Sequence, residues 1–390
     1  MKERVQFVCH RCYRENRISD VTYYSPSKMR IFTPKIEGAG VELPLEEGGT
    51  IQFPSVVSEN NLYSRGILSE DGKPLIAICK YCFQNNEQTE IPEEIFQGKY
   101  KTLVIAGSKG VGKTELFTLM TDDIQKYGQI YFDGRVVNYI EDNEEKFRRK
   151  QRIEDLIING RLEGTASDSR ESIIFKVKTS SVKEDVFSIY DAAGERFDTY
   201  TSSTLASHSY FRYATGIFLL IDILQLSGVK SRIRQDILEE YSGNQNQDLL
   251  SIISNLTKII RTSRNVAPGT KISVPLAVIL TKVDTILEEF SNTFGEEFIR
   301  LGFSKDDSAK RIEIINNITE KFLIDIGETA LISQLRSEYS NIKFFTLASR
   351  GINFEIGEEV EPFLVELPLI WLMKANSGFK SKIMSWFGGQ

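Results

Sequence analysis

One short stretch, GSKGVGKT at residues 107–114, constrains this chain more than any other part of its sequence. It follows the apolar run KTLVIA and precedes ELFTLM, a pattern that predicts a buried strand, a glycine-rich turn and a helix. The stretch matches G-x-x-x-x-G-K-[ST], whose backbone N–H groups point at phosphate oxygens at the positive end of the helix. The predicted contacts to a nucleotide are Gly107, Lys109, Gly110, Val111, Gly112, Lys113 and Thr114.

Two residues of this loop carry its chemistry. In this pattern Lys113 neutralises the β and γ phosphates, and the Thr114 hydroxyl ligates Mg²⁺. A chance match in a glycine-rich turn is the alternative, and the strand and helix patterns on both sides argue against it.

The chain changes character near IPEEIFQGKY, which predicts two domains and a tail. Residues 1–98 contain most of the ten prolines in short β-prone pieces, which predicts a small β-rich domain. In residues 99–376, apolar runs such as GIFLLID and VPLAVIL alternate with amphipathic segments. This alternation predicts an α/β fold with a mostly parallel sheet covered by helices on both faces. Residues 377–390 form a basic and aromatic tail.

Two motifs at predicted strand ends are candidates for contacts to the nucleotide base and to the γ-phosphate. YDAAGE offers Asp191 to hold Mg²⁺ through a water and the Gly194 N–H to meet the γ-phosphate. In VILTKVD, the Asp284 carboxylate can accept two hydrogen bonds from guanine, for which adenine has no matching pair of donors. Thr281 precedes it, and Lys282 can lay its aliphatic stem against the base. The sequence therefore favours GTP over ATP.

In this order the motifs resemble those of the Ras-like GTPases related to translation factors. TLASR is similar to the last motif of that family, with Ala348 and the Ser349 backbone N–H at the guanine carbonyl. The resemblance implies binding of GTP and GDP with Mg²⁺, hydrolysis to GDP and phosphate, and a conformational switch that controls a partner. Thr165 is the switch I candidate for Mg²⁺, with Ser167 and Ser169 as alternatives.

The chain departs from that family at several positions. Thr281 replaces an asparagine, which leaves a hydroxyl to tie the base loop to the phosphate loop. Glu195 stands where many members have the glutamine that orients water, so hydrolysis is expected to be slow without a partner. Lys109 replaces a common glycine. The expected catalytic residues are Lys113, Thr165, Gly194 and Glu195.

All four cysteines lie in the first domain, as two C-x-x-C pairs. Cys9 with Cys12, and Cys79 with Cys82, predict two knuckles that complete a tetrahedral Zn²⁺ site of the zinc-ribbon kind. A redox C-x-x-C is the rival interpretation, and it is disfavoured because no thioredoxin-like setting surrounds either pair. A closed four-cysteine site has no open position for chemistry, so the metal is expected to be structural.

The remaining features bear on partners and location. The net charge of −6 creates no global basic field. No apolar run is long enough to span a bilayer, so a cytoplasmic protein is expected. The bias towards Ile, Lys and Asn suggests a bacterial source. A protein partner is favoured over nucleic acid, although basic residues and tyrosines alternate in the first domain. The tail could weakly contact an anionic membrane or a partner. The alternatives are a GTP-binding scaffold that barely hydrolyses, and an RNA- or ribosome-associated GTPase.

One charged segment, EDNEEKFRRKQRIEDLIINGRL, is expected to form a solvated helix or a partner surface. Its apolar positions predict a side that docks on the core. Those positions are Phe147, Ile153, Leu156 and Ile157.

Overall fold

The computed structural model divides into two compact units, Met1–Tyr100 and Lys101–Gln390. It describes residues 7–10, 12, 14–16, 21–25, 30–32, 35–37, 40–42, 76–83, 91–92, 95, 100–132, 134, 137–140, 143–160, 162, 170–178, 184–192, 209–241, 248–304 and 307–376.

The first unit consists of short antiparallel pairings and one short helix. β1 pairs with β2, β5 pairs with β6, and β3 lies between β4 and β7. These elements are β1 (Phe7–Val8), β2 (Glu15–Asn16), β3 (Val21–Ser25), β4 (Arg30–Phe32), β5 (Lys35–Glu37), β6 (Gly40–Glu42), β7 (Ile76–Cys79) and α1 (Lys80–Phe83). This is the β-rich character that the composition predicts.

The second unit is built on one seven-stranded sheet, in the order β14-β13-β12-β8-β11-β10-β9. β12 pairs in parallel with β8 and β13, and β13 pairs in parallel with β14. β10 is antiparallel to both β11 and β9. The strands are β8 (Tyr100–Gly107), β9 (Val137–Ile140), β10 (Arg170–Lys178), β11 (Glu184–Ala192), β12 (Ala214–Asp222), β13 (Leu276–Thr281) and β14 (Ile342–Thr346).

The central strands are apolar over almost their whole length because they lie in the core. All six residues of β13 are buried, and so are eight of the nine in β12. Strands of a parallel sheet with covered faces read as such continuous apolar runs. The order also places β8 between β11 and β12. The strands β9 to β11 therefore lie on one side of β8, and the strands β12 to β14 lie on the other side. Ligands of open α/β sheets bind at such a switch point, outside the carboxyl ends of the strands.

Nine α-helices accompany the strands of the second unit in the described ranges. The last one, α10, packs against β12, β13, α2 and α8. They are α2 (Lys113–Tyr131), α3 (Asn143–Asn159), α4 (Ser227–Lys230), α5 (Gln235–Tyr241), α6 (Leu249–Ser263), α7 (Glu296–Phe303), α8 (Ser308–Asp325), α9 (Thr329–Glu338) and α10 (Glu366–Asn376). None of the helices in the described ranges combines the length and apolar character that a bilayer span requires.

Helix α3 confirms one prediction and corrects another. It covers most of the charged segment, and Leu156 and Ile157 pack into an apolar cluster with Leu119 and Val360. Phe147, however, is 65% exposed, so its predicted place on the core side is wrong. The core contact is made by the carboxyl-terminal turns of the helix, and Phe147 lies in its second turn.

Candidate nucleotide site and cysteine cluster

The phosphate-loop motif forms the turn between β8 and α2. Gly110 and Gly112 have φ angles of 83° and 86°, in the left-handed region that favours glycine. At Gly107 the restriction is packing, since a Cβ atom would lie 2.8 Å from the Leu220 carbonyl oxygen. The glycines of the motif are therefore required by this backbone path. The loop leads directly into the first turn of a 19-residue helix, whose N–H groups favour anions.

The Lys113 ammonium lies inside this loop. It donates to the carbonyl oxygens of Gly107 at 2.9 Å and Ser108 at 3.0 Å, and the residue is buried. Thr114 is half-buried in the first helical turn, whereas Lys109 and Gly110 are exposed. A buried ammonium beside the amino end of a helix is a donor set that fits a phosphate chain.

The base-loop motif lies against the phosphate loop, although the two are far apart in sequence. The Thr281 hydroxyl, at the end of β13, donates to the Val111 carbonyl oxygen at 3.0 Å and also lies 3.4 Å from the Ile221 carbonyl oxygen. Thr281 is buried. The hydroxyl therefore links the end of β13 to the loop between β8 and α2.

The Lys282 ammonium is held by Asp222, at the end of the neighbouring strand β12. Its Nζ donates to Asp222 Oδ2 at 2.6 Å, and Asp222 Oδ1 accepts from the Leu224 N–H at 3.0 Å. Lys282 has a φ of 64°, so the chain turns sharply there. Sequence reasoning missed Asp222, although its place at the end of GIFLLID, on the same sheet edge, was a usable signal.

Asp284 lies in the short turn that follows, Val283–Ile286. Although Asp284 is exposed to solvent, desolvation by the surrounding protein raises the pKa of its carboxyl to about 6. The positive charges of Arg350 and Lys282 act against this shift, and Glu115 acts with it. Of these charged neighbours, Arg350 follows β14 and Glu115 lies in the first turn of α2.

The last motif follows β14, beside the base loop. Leu347 N–H donates to the Leu280 carbonyl at 3.0 Å, and Ala348 exchanges two backbone hydrogen bonds with Phe363. Ala348 and Ser349 are both buried. The motif therefore lies on the same rim of the sheet as Thr281.

Arg350 joins this motif to two other elements. Its Nε donates to Glu115 Oε1 at 3.2 Å in α2, and its Nη1 donates to the Gly160 carbonyl at the end of α3. Gly160 directly precedes the segment that carries the switch I candidates. The sequence analysis gave Arg350, the last residue of TLASR, no role of its own.

The predicted switch residues are only partly described. Asp191 is the penultimate residue of β11, opposite Glu171 of β10, and β11 lies next to the strand that enters the phosphate loop. Thr165, Gly194 and Glu195 lie outside the described residues, as do Ser167 and Ser169. The structure thus brings together the phosphate loop, the base loop and the last motif.

The four cysteines of the first unit form one cluster. Their Sγ atoms all lie within 4.8 Å of one another, with Cys9 and Cys82 at 3.7 Å and Cys12 and Cys79 at 3.5 Å. Sulfur atoms at the corners of a zinc tetrahedron lie about 3.8 Å apart, since the Zn–S bond is about 2.3 Å. All four are free thiols.

The cluster is assembled by local structure and sheet pairing. The Cys9 N–H donates to the Arg14 carbonyl at 3.1 Å, which closes the first knuckle, and Cys79 ends β7 opposite Val21. Cys82 follows in α1. The hydrogen bond from Cys12 holds the pKa of the Cys79 thiol well below its usual range. Four convergent, mostly buried thiols are a donor set that fits Zn²⁺.

Comparisons with known proteins return only distant similarity. No family model and no curated protein matches the chain. Among solved structures it is similar to the Arl6 BBS3 small GTPase from Trypanosoma brucei, with 12% identity and a TM-score of 0.28, over 71% of this chain and 97% of that one. It is also similar to a putative nucleolar GTP-binding protein 1 from Plasmodium falciparum, with 12% identity and a TM-score of 0.31, over 74% and 91%.

A third similarity is to a bacterial selenocysteine-specific elongation factor, with 14% identity and a TM-score of 0.30, over 72% of this chain but 30% of that one. These similarities are too distant to define the fold, which is defined by the strand order and the loop geometry of the second unit. On those grounds the second unit fits a P-loop GTPase fold.

Proposed function

We propose that the second unit binds GTP with Mg²⁺ and hydrolyses it to GDP and phosphate, as a molecular switch that controls a protein partner. One observation carries this proposal: the hydrogen bond from the Thr281 hydroxyl to the Val111 carbonyl. It joins the motif that would read the base to the loop that would hold the phosphates. A chance match to either motif gives no reason for the two to meet at one sheet edge.

The roles of the described residues follow from their positions. The N–H groups of the phosphate loop and the Lys113 ammonium would hold the β and γ phosphates, and the phosphate would replace the carbonyls that the ammonium now contacts. The Asp284 carboxylate would accept two hydrogen bonds from guanine. The Ser349 N–H would donate to the guanine carbonyl.

The chemical step is attack of water on the γ-phosphorus, with loss of the bond to the β–γ bridging oxygen. The Thr114 and Thr165 hydroxyls, and Asp191 through a water, would hold Mg²⁺, which would supply positive charge to offset that of the phosphates. Glu195 would accept a hydrogen bond from the attacking water but adds negative charge beside the phosphates. Turnover without a partner would therefore be slow. Release of the γ-phosphate would free Thr165 and Gly194, which is the switch.

In the first unit we propose a structural zinc ion, held by Cys9, Cys12, Cys79 and Cys82. A closed four-thiolate site stabilises the fold around it and leaves no position for a substrate. The unit would then present a surface to the partner, and a cytoplasmic location would suit its thiols.

The test is identification of the nucleotide and metal that the full chain retains, by mass spectrometry and metal analysis, followed by phosphate release from GTP and ATP with Mg²⁺. We expect bound guanine nucleotide and slow release of phosphate from GTP. A Lys113→Ala variant, which lacks the ammonium but keeps the base loop, should lose both.

Two results would contradict this proposal. Equal use of ATP and GTP would mean that the base motif does not read guanine. Tight GTP binding with no phosphate release, even with cell extract added, would favour the non-hydrolysing scaffold.

A further inference from the structure

The second unit has a cavity that the proposed GTP site does not use. Its volume is about 760 Å³, and its walls are α2, the end of α7 and the loop at residues 350–363. We name it the acidic groove after the exposed glutamates that line it, Glu358, Glu359 and Glu361.

The charge of the acidic groove comes from these loop glutamates. The aspartates in its wall are already engaged: Asp122 lies 3.1 Å from Lys126 and 3.5 Å from Arg149, and Asp123 accepts from Tyr131 at 2.6 Å. Glu359 makes only a 3.8 Å pair with Lys126 and is 81% exposed. Within the described ranges no ion pair involves Glu358 or Glu361. The groove therefore has negative charge that is open to a cation.

The same groove exposes large apolar side chains. Phe303 is 67% exposed and Tyr127 is 40% exposed, and Phe354 lies half-buried beside them. Exposed aromatic area next to a concave surface is typical of a binding site. The occupant that fits has both cationic groups and apolar anchors.

The chain itself supplies such a segment. Residues 377–390, SGFKSKIMSWFGGQ, lie outside the described part of the chain and follow α10 directly. They contain Lys380 and Lys382, no acidic residue, and five large apolar side chains. Those are Phe379, Ile383, Met384, Trp386 and Phe387.

Length and tethering favour this occupant over a separate peptide. Helix α10 packs against α2, which is one wall of the acidic groove. A segment of this length can extend about 45 Å, at roughly 3.3 Å per residue. A covalent tether of this kind gives an effective concentration on the order of millimolar, so weak contacts suffice. We propose that residues 377–390 dock in the acidic groove of the same chain, with the lysines at the glutamates and the aromatic residues at Tyr127 and Phe303. This inference does not depend on the proposed GTPase activity.

Trp386 makes the docking measurable in the full chain. The chain has two tryptophans, and Trp371 is buried in α10. The difference between the native chain and a Trp386→Phe variant therefore reports Trp386 alone. We expect Trp386 to be shielded from acrylamide several-fold relative to a synthetic peptide of residues 377–390.

The charge of the groove is tested by a triple variant, Glu358→Gln, Glu359→Gln and Glu361→Gln. It should release Trp386 and raise its quenching several-fold, towards the value of the peptide. A matched variant, Asp236→Asn with Glu288→Gln and Glu313→Gln, removes the same charge from exposed positions elsewhere and should leave quenching unchanged. Circular dichroism checks that each variant is folded.

Three results would overturn the proposal. If acrylamide quenches Trp386 in the chain as strongly as it quenches the peptide, the segment is not docked. Shielding that survives the groove variant places the segment elsewhere. Shielding that weakens on dilution means that the occupant comes from a second copy.

Discussion

The two units of this protein reach a defined structure by different means. In the first unit the strands have two to five residues, and the four cysteine sulfur atoms lie within 4.8 Å of one another. In the second unit the sheet strands have four to nine residues, and the core runs through every central strand. A small domain with short strands often depends on a cross-link, whereas a large core spreads its stabilisation over many side chains.

This difference predicts where single changes will have the largest effects. In the first unit each cysteine would supply one of the four ligands of the proposed zinc ion. In the second unit the core tolerates more, and the sensitive positions are the polar side chains at the rim of the sheet. The four predictions below test this contrast, and they run from the largest expected effect to the smallest.

Loss of the metal should unfold the first unit and spare the second. Chelation, or Cys79→Ala, would remove a zinc contribution that is on the order of 10 kcal/mol in small zinc domains. Hydrogen exchange should show loss of protection at residues 76–83, while the affinity for a fluorescent GTP analogue stays the same. The reciprocal control is Lys113→Ala, which should lose nucleotide and keep one zinc per chain. Loss of both properties in either variant would mean that the units are not independent.

Asp284→Asn should change the base preference without changing metal content. An amide cannot accept both guanine donors, and charge-assisted hydrogen bonds are strong, so GTP affinity should fall about 100-fold. Affinity for xanthosine triphosphate should rise by a similar factor, because xanthine presents the complementary group. Competition binding measures both. Unchanged GTP affinity would show that Asp284 does not contact the base.

The pH dependence of GTP binding should report the same carboxyl. The pKa of Asp284 is raised to about 6, and guanine binds the ionised form. Affinity should therefore be constant above pH 7 and fall as the pH drops through 6, by about tenfold per unit at the acidic end. The Asp284→Asn variant should lack this slope. A native profile that is flat from pH 7 to pH 5 would contradict the assignment.

The link between the base loop and the phosphate loop should have the smallest effect. Thr281→Val keeps the shape of this buried residue and removes the hydroxyl that donates to the Val111 carbonyl. One neutral hydrogen bond is worth about 1 kcal/mol, so GTP affinity should fall about fivefold. Thr281→Ser keeps the hydroxyl and serves as the matched control. Equal affinities for the two variants would show that the hydrogen bond does not support binding.

Much of the candidate site was predictable because its motifs are local. The strand–loop–helix pattern around GSKGVGKT specifies a backbone path within a dozen residues, and glycine is needed where φ is positive, at Gly110 and Gly112. The C-x-x-C pairs likewise specify tight knuckles. Each of these patterns specifies its own local backbone geometry, so the loop and the knuckles lie at the positions that the sequence indicates.

Other contacts were not predictable, because they join side chains that only the sheet order brings together. Asp222 meets Lys282 because β12 and β13 are neighbours in register, and Arg350 reaches Glu115 and Gly160 because β14 ends beside them. The edge strand β9 and the exposure of Phe147 were also missed, since helical spacing marks an apolar face but does not show which turn meets the core.

The amino-acid sequence by itself therefore determined the candidate residues for binding phosphate, a base and a metal, because each candidate site is marked by a short pattern. Only the tertiary structure decided which of these patterns share one rim, which charges are paired, and where a groove stays open. The physical reason is that strand order and register set the distances between residues that are remote in the chain. No single segment specifies the strand order or the register.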